Sequence, residues 1–300
     1  MLSANRQLNW TLLLALLLSI PFCGMVFAED EPAQSADKSR FNLLNPTPSN
    51  LMREFNTDRP DITEGPFTVD AGHVQFEMDL FNYAKSRRDA EGTVTDTFSF
   101  MATNIRVGIT NDVELGVVLQ PSNAIRTRMI NPPRTTWNAG PDVLELRAKF
   151  NLFGNDTYKE PGAIALALLP FIAIPTFRNG VGEENVEGGL AVPFAVKLTD
   201  KIDLGLMTEF DLKKNSAGSG YHVEYVNTGV MSYEWTDKLS TYGEVATRFG
   251  TQDPFGGIVL VGTGVLYKIK KDLQLDVGAN FGLTRASDRI NPFIGLSARF

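Results

Sequence analysis

One phrase recurs along the second half of this chain. Residues 107–117 read VGITNDVELGV, 196–206 read VKLTDKIDLGL, and 267–277 read YKIKKDLQLDV; a looser copy, YEWTDKLSTYG, fills 233–243. Each copy is an alternating run, a few polar or charged residues, then a second alternating run. That is two strands joined by a tight turn. A hairpin repeated in this way constrains the chain to an all-β antiparallel meander. The chain ends in FIGLSARF, where Ile294, Leu296, Ala298 and Phe300 share one strand face. Gly295, Ser297 and Arg299 share the other, because side chains alternate along a strand.

The N-terminus carries Arg6, the apolar run Trp10 to Ile20, and then Val26-Phe27-Ala28. This predicts a signal peptide over 1–28, cut after Ala28. The apolar run is too short for a membrane span, which needs about 20 residues. Cys23 is the chain's sole cysteine and leaves with that peptide, so the mature chain has no disulfide or thiol chemistry. Phe22 stands before it, where a lipoprotein signal would place a small residue. The net charge of −7 argues against nucleic acid as a partner. The most apolar later stretch, 163–175, is short and holds Pro170 and Pro175, which excludes a spanning helix.

Residues 29–54 are polar and rich in Pro, Ser and Asn, and read as a flexible periplasmic lead-in. Residues 55–71 read as an entry loop, and 55–300 as the barrel that it enters. About twelve strands fit between Gly72 and Phe300. Short turns are expected at 110–112, 199–201, 236–238 and 270–272, with a longer one at 154–160. Polar loops are expected at 85–95, 122–139, 176–187, 214–220, 251–256 and 285–290. Short turns at one end and long loops at the other are the asymmetry of outer-membrane barrels.

Alternation assigns the faces. The outward set includes Val74, Phe76, Met78 and Leu80; Val113, Leu115, Val117 and Leu119; Leu144, Leu146, Ala148 and Phe150; and Leu273, Leu275, Val277, Ala279, Phe281 and Leu283. The inward set includes Glu77, Asp79, Arg106, Glu114, Glu145, Arg147 and Lys149. It continues with Asp203, Glu209, Asp211, Glu234, Glu244, Arg248, Lys268, Asp276 and Arg299. Apolar-out and polar-in inverts a soluble barrel. The fold class predicted is a transmembrane antiparallel β-barrel with an up-and-down meander, set in outer-membrane lipid. A soluble sandwich would also alternate, but would not explain the loop asymmetry. Tyr233, Trp235, Tyr267 and Phe300 are placed as an aromatic girdle at the periplasmic rim. The C-terminal strand is placed as the element presented to the barrel-assembly machinery.

Two segments carry a family resemblance. FNTDRPDITEGPFTVDAGHVQFEMD at 55–79 resembles the N-terminal motif of an outer-membrane transporter family labelled for the "MetA-pathway of phenol degradation". NIRVGITNDVELGV at 104–117 resembles the hairpin that follows it there. The shared motif is Thr57, Asp58, Arg59, Pro60 and Asp61. The resemblance implies an outer-membrane barrel and, through its label, uptake of aromatic compounds. It brings no catalytic residues with it.

No enzyme site is legible. His73 and His222 fall at opposite ends of the expected barrel, so they cannot share a metal. His222 has Ser216 and Ser219 nearby, but a rim histidine beside a glycine-rich turn is the simpler reading. No phosphate-binding, dinucleotide or zinc motif is present, so no cofactor is expected. The candidate functional residues line a lumen: Glu77, Asp79, Arg106, Glu114, Glu145, Arg147, Phe171, Glu209, Asp211, Glu244 and Arg248. Strand 161–175 is unusual in offering an uncharged inward lane of Ala163, Ala165, Ala167, Leu169, Phe171 and Ala173. The expected function is a passive small-molecule channel with a narrow pore, either open or blocked by 41–71 or by 122–139. The alternatives are a structural or adhesive barrel with a filled lumen and, behind it, an outer-membrane hydrolase.

Overall fold

The computed structural model describes residues 37–142, 144–175, 181, 184–215, 219–251 and 256–300. The signal peptide expected at 1–28, Ser216 and most of the loop expected at 176–187 lie outside them.

Every named element is a β-strand. In chain order they are β1 (Val74–Lys85), β2 (Val94–Phe100), β3 (Ala102–Gly108), β4 (Val113–Leu119), β5 (Ser122–Met129), β6 (Arg134–Gly140), β7 (Leu144–Phe153) and β8 (Ile164–Ile174). Then follow β9 (Glu187–Lys197), β10 (Ile202–Lys214), β11 (Tyr221–Thr236), β12 (Leu239–Gly250), β13 (Ile258–Lys270), β14 (Leu273–Gly282) and β15 (Ile290–Arg299).

Twelve of these close a ring of antiparallel neighbours. From β7 to β15 each strand pairs with the next in sequence, and β7 pairs with β4, β4 with β3, and β3 with β1. The β1–β15 pairing closes the barrel. Closure removes the exposed edges that an open sheet would leave in lipid. The last residue takes part: Val74 N–H donates to Phe300 O and Phe300 N–H to Val74 O, at 3.1 and 2.8 Å.

The segment 122–139 departs from expectation. It is not an irregular loop but the hairpin β5–β6, which with β2 carries the barrel wall beyond the ring. SNAIRTRM and RTTWNAG alternate well enough to pair, and only Ile130–Pro133 turn the corner. Charge and rings hold this extension. Asp96 on β2 accepts from Arg128 at 2.8 Å, and the Arg126 guanidinium lies 5.4 Å from the Trp137 ring centre. The stretch between the loop expected at 85–95 and the turn expected at 110–112 is split at Met101, whose φ of 59° interrupts the extended backbone between β2 and β3.

The inside-out pattern is plain in exposure. Leu115, Met231 and Val277 point outward and are at least half exposed, whereas Arg106 and Lys149 are 2% and 1% exposed in the interior. An exterior of this kind is stable only against lipid, because in water a patch this large would drive association. At the short-turn end, Tyr233 and Trp235 meet edge to face at 4.6 Å, and Tyr267 and Phe300 are exposed at the same end of their strands. That arrangement suits the membrane interface.

Candidate functional site: the occupied lumen

The interior of the ring is occupied by residues 55–71. This segment has too few apolar residues to form a core of its own. It docks instead by matching each polar group to the polar inner wall.

Thr57–Asp61 is the anchor. Asp58 Oδ1 lies 2.7 Å from Lys149 Nζ on β7, and its Oδ2 lies 3.1 Å from the Arg106 guanidinium on β3. The Asp58 and Arg59 backbone N–H groups both donate to Glu77 Oε2 at 3.0 Å. The Arg59 guanidinium bridges Asp79 on β1 and Asp276 on β14, at 2.7 and 2.8 Å. Gln274 donates to the Thr57 hydroxyl at 3.1 Å.

The next residues repeat the device. Ile62 N–H and Thr63 N–H donate to Glu244 on β12, at 3.0 and 2.8 Å. Glu64 pairs with Arg147 at 2.6 Å. The Pro66 and Phe67 carbonyls accept from Asn151 and Arg106, each at 2.8 Å. Val69 N–H donates to Glu114 at 2.7 Å. Fully buried Asp70 closes the segment against Lys38 and Arg299, at 3.4 and 3.3 Å. Residues 37–54, read as a lead-in, also bond to the short-turn end: Lys38 reaches Asp156 at 2.7 Å and Arg53 reaches Asn111 at 2.8 Å.

Burial alone would raise the Asp58 carboxyl, but Arg106 and Lys149 outweigh it and hold Asp58 well below the usual carboxylate range. Burial, reinforced by nearby Glu244, pushes the Asp61 carboxyl well above that range. Asp58 is thus kept as a charged anchor, while Asp61 is driven toward the neutral acid.

The plug therefore gathers six of the eleven expected residues, Glu77, Asp79, Arg106, Glu114, Arg147 and Glu244. Glu145 joins through Arg147, to which it hydrogen bonds. Glu209 and Asp211 lie on β10, where Asp211 stands across from Glu224. Arg248 Nε comes within 3.8 Å of that same Glu224. Phe171 packs on an apolar cluster of Leu169, Ala191, Met207 and Val226, the inward faces of β8 to β11. It lies over Gly189, where a Cβ would come within 2.7 Å of the ring.

Sequence reading set Lys149, Asp276 and Gly295 on the inward face but included none of them among the candidate functional residues. The first two carry the right alternation and sign, but nothing local says which plug residue each one meets. Gly295 leaves the space that the Arg59 guanidinium occupies.

The histidines stay apart. His73 bonds the Phe300 and Thr47 carbonyls, at 3.0 and 2.7 Å. His222 bonds Asn215 and Glu224, at 3.0 and 3.3 Å. Among the described residues no group of His, Cys, Asp and Glu is arranged to hold a metal ion.

A family model described as "Putative MetA-pathway of phenol degradation" matches residues 57–300, beginning at the plug's anchor and ending at the last residue. The chain belongs to this family. An outer-membrane channel from Pseudomonas putida F1 shares the fold, with a TM-score of 0.59 at 11% identity over 82% of this chain and 100% of that one. The transport unit of the autotransporter AIDA-I from Escherichia coli matches at 0.49 and 8% identity, covering 82% and 93%. The translocator domain of NalP from Neisseria meningitidis matches at 0.48 and 9%, covering 76% and 88%. Among curated proteins, none matches the chain in sequence. This member of the family is a closed twelve-stranded antiparallel β-barrel with an apolar exterior.

Proposed function

We propose that this barrel is a passive, plug-restricted channel for small molecules, and that an apolar patch of its wall passes aromatic or other apolar compounds. The observation that carries this reading is the division of the lumen. The plug's charged partners come from β1, β3, β4, β7, β12, β14 and β15. Opposite them, Ala165, Ala167, Leu169, Ala191, Met207 and Val226 form a buried apolar patch on β8 to β11, bordered by Glu209 and Asp211 along the Met207 face. A polar plug binds such a patch weakly, so this side is where a small apolar solute meets least resistance. The family's label and the similarity to the channel from Pseudomonas putida F1 support the same reading.

No enzymatic role is assigned. Both ring nitrogens of His222 are engaged by Asn215 and Glu224, so neither is poised on a serine. The partners proposed are outer-membrane lipid, a small solute, and the barrel-assembly machinery, which would read the C-terminal strand.

A structural barrel with a filled lumen is the second reading, favoured by how completely the plug is ion-paired. Planar-bilayer recording and liposome flux separate the two. The wild-type protein should give a small conductance, and Phe171→Asp should reduce the passage of small aromatic solutes more than that of small ions. A folded wild-type protein that neither conducts nor passes solute establishes the filled barrel instead.

A further inference from the structure

The wall extension carries a face of cations and rings that the plug does not use, and strand register decides which way it points. Gly295 faces the lumen, where Arg59 lies over it, so its neighbour Ile294 faces outward. Ile294 stands across from Phe81 on β1, so Phe81, Tyr83 and Lys85 point outward as well. Lys85 stands across from Asp96 on β2, Asp96 across from Arg126 on β5, and Arg126 across from Trp137 on β6. This row therefore continues the lipid-facing side of the barrel, not its lumen.

The same strand gives its height. Phe76, which packs on Phe300 at the short-turn end, lies nine positions before Lys85 on β1. At about 3.3 Å per residue and a tilt of about 40°, that is about 23 Å along the barrel axis. The apolar band of an outer-membrane barrel is about 25 Å tall, so the row from Lys85 to Trp137 stands at its outer edge. Below the row the outward face is aromatic: Phe81 meets Phe100 at 5.2 Å, and Tyr83 meets Phe98 at 5.1 Å.

Charge then narrows the ligand. The outward positions of the extension hold three cations, Lys85, Arg126 and Arg128, against one carboxylate, Asp96. Asp96 is buried beneath the two guanidiniums, at 3.1 and 2.8 Å, and accepts from the Tyr83 hydroxyl at 2.6 Å. It fixes both arginines in place but neutralises only one of them. Their side chains stay 31% and 42% exposed, so each fork remains open to an anion. Guanidinium forks match phosphate oxygens. The Arg126 guanidinium also lies 5.4 Å from the ring centre of Trp137, which is more than half exposed and offers a flat apolar surface beside the charge.

We propose that this face is a binding site for a phosphorylated glycolipid of the outer leaflet, with its phosphate held by Arg126 and Arg128 and its sugar lying on Trp137. The site rests on the outer-membrane placement proposed above and on nothing about transport.

Native mass spectrometry of the detergent-solubilised full-length mature barrel tests it. The probes are bisphosphorylated lipid A, phosphatidylglycerol and inorganic phosphate. Lipid A should bind saturably, one copy per barrel, and phosphatidylglycerol, which lacks the sugar, more weakly. Inorganic phosphate in large excess should not displace lipid A. Arg126→Gln and Arg128→Gln should each weaken lipid A binding about tenfold, the loss of one charge-assisted hydrogen bond. Thr135→Glu serves if those variants lose their heat-modifiable fold, since it sets a carboxylate across from Arg128 and leaves Asp96 untouched. No saturable binding of lipid A, unchanged affinity in the folded variants, displacement by inorganic phosphate, or equal binding of phosphatidylglycerol would overturn the proposal. Cell fractionation keeps the placement separate. A barrel recovered in the outer membrane that binds no lipid A sinks the site alone; a barrel absent from that membrane sinks the placement and the site with it.

Discussion

The guanidinium of Arg59 lies directly over the backbone of Gly295, in the space where any other residue would place its Cβ. In the strand register Gly295 stands between Asp79 on β1 and Asp276 on β14, the two carboxylates that Arg59 bridges. One glycine thus lets a plug residue lie flat against the closing strand and pair with both of its neighbours. Gly295→Ala should therefore displace Arg59 and loosen the plug while the β1–β15 ladder persists. Bilayer recordings should show more frequent or larger openings. The increment over a plain Arg59→Ala background should be small, because the clash partner is then gone. Equal, additive effects of Gly295→Ala in both backgrounds would contradict the contact.

The Asp58–Lys149 pair joins residues far apart in sequence, and both side chains are buried. Removing one partner of a buried pair costs about 3–5 kcal/mol, because the other charge is stranded. Lys149→Met should destabilise the folded protein by less than that in denaturant unfolding from detergent, because Asp58 keeps the Arg106 guanidinium at 3.1 Å. Asp58→Asn with Lys149→Met should recover part of the loss. A double-mutant cycle with coupling near zero would show that the pair contributes nothing.

The chain's orientation follows from the ends of the barrel. The β9–β10 turn holds Asp200 at the same end as Phe300 and the plug's entrance, while Pro132 tips the β5–β6 extension at the other. A cysteine at Pro132 should react with an impermeant thiol reagent on whole cells, and one at Asp200 should not. Labelling of the second and not the first would invert the assigned topology.

Phe300 closes the barrel by its backbone and packs its ring edge to face on Phe76 at 5.9 Å. Removing it takes away two closing hydrogen bonds and an outward aromatic anchor. Deletion of Phe300 should lower the yield of heat-modifiable barrel in the outer-membrane fraction severalfold at low expression. Unchanged yield would leave the residue without a role in assembly.

The barrel was legible in the sequence because alternation is a local property. Side chains two apart share a face whatever lies beyond, so Glu77 and Arg106 could be set inside, and Leu115 and Val277 outside, without knowing which strands pair. The hairpin repeats then implied an antiparallel meander with short turns at one end. What lay across the lumen was not legible. Asp58 reads as one acidic residue in a polar loop until Lys149 and Arg106 are brought round it, and those contacts exist only once the ring has closed. The 122–139 segment was misread for a related reason. Its polar composition resembles a loop, and only cross-strand pairing with β2, together with Asp96 and the Arg126–Trp137 contact, makes it wall. Sequence by itself determined which face each strand residue takes, since that depends on neighbours two positions away. Tertiary structure alone decided what fills the barrel, since a buried charge is stable only where closure delivers its partner.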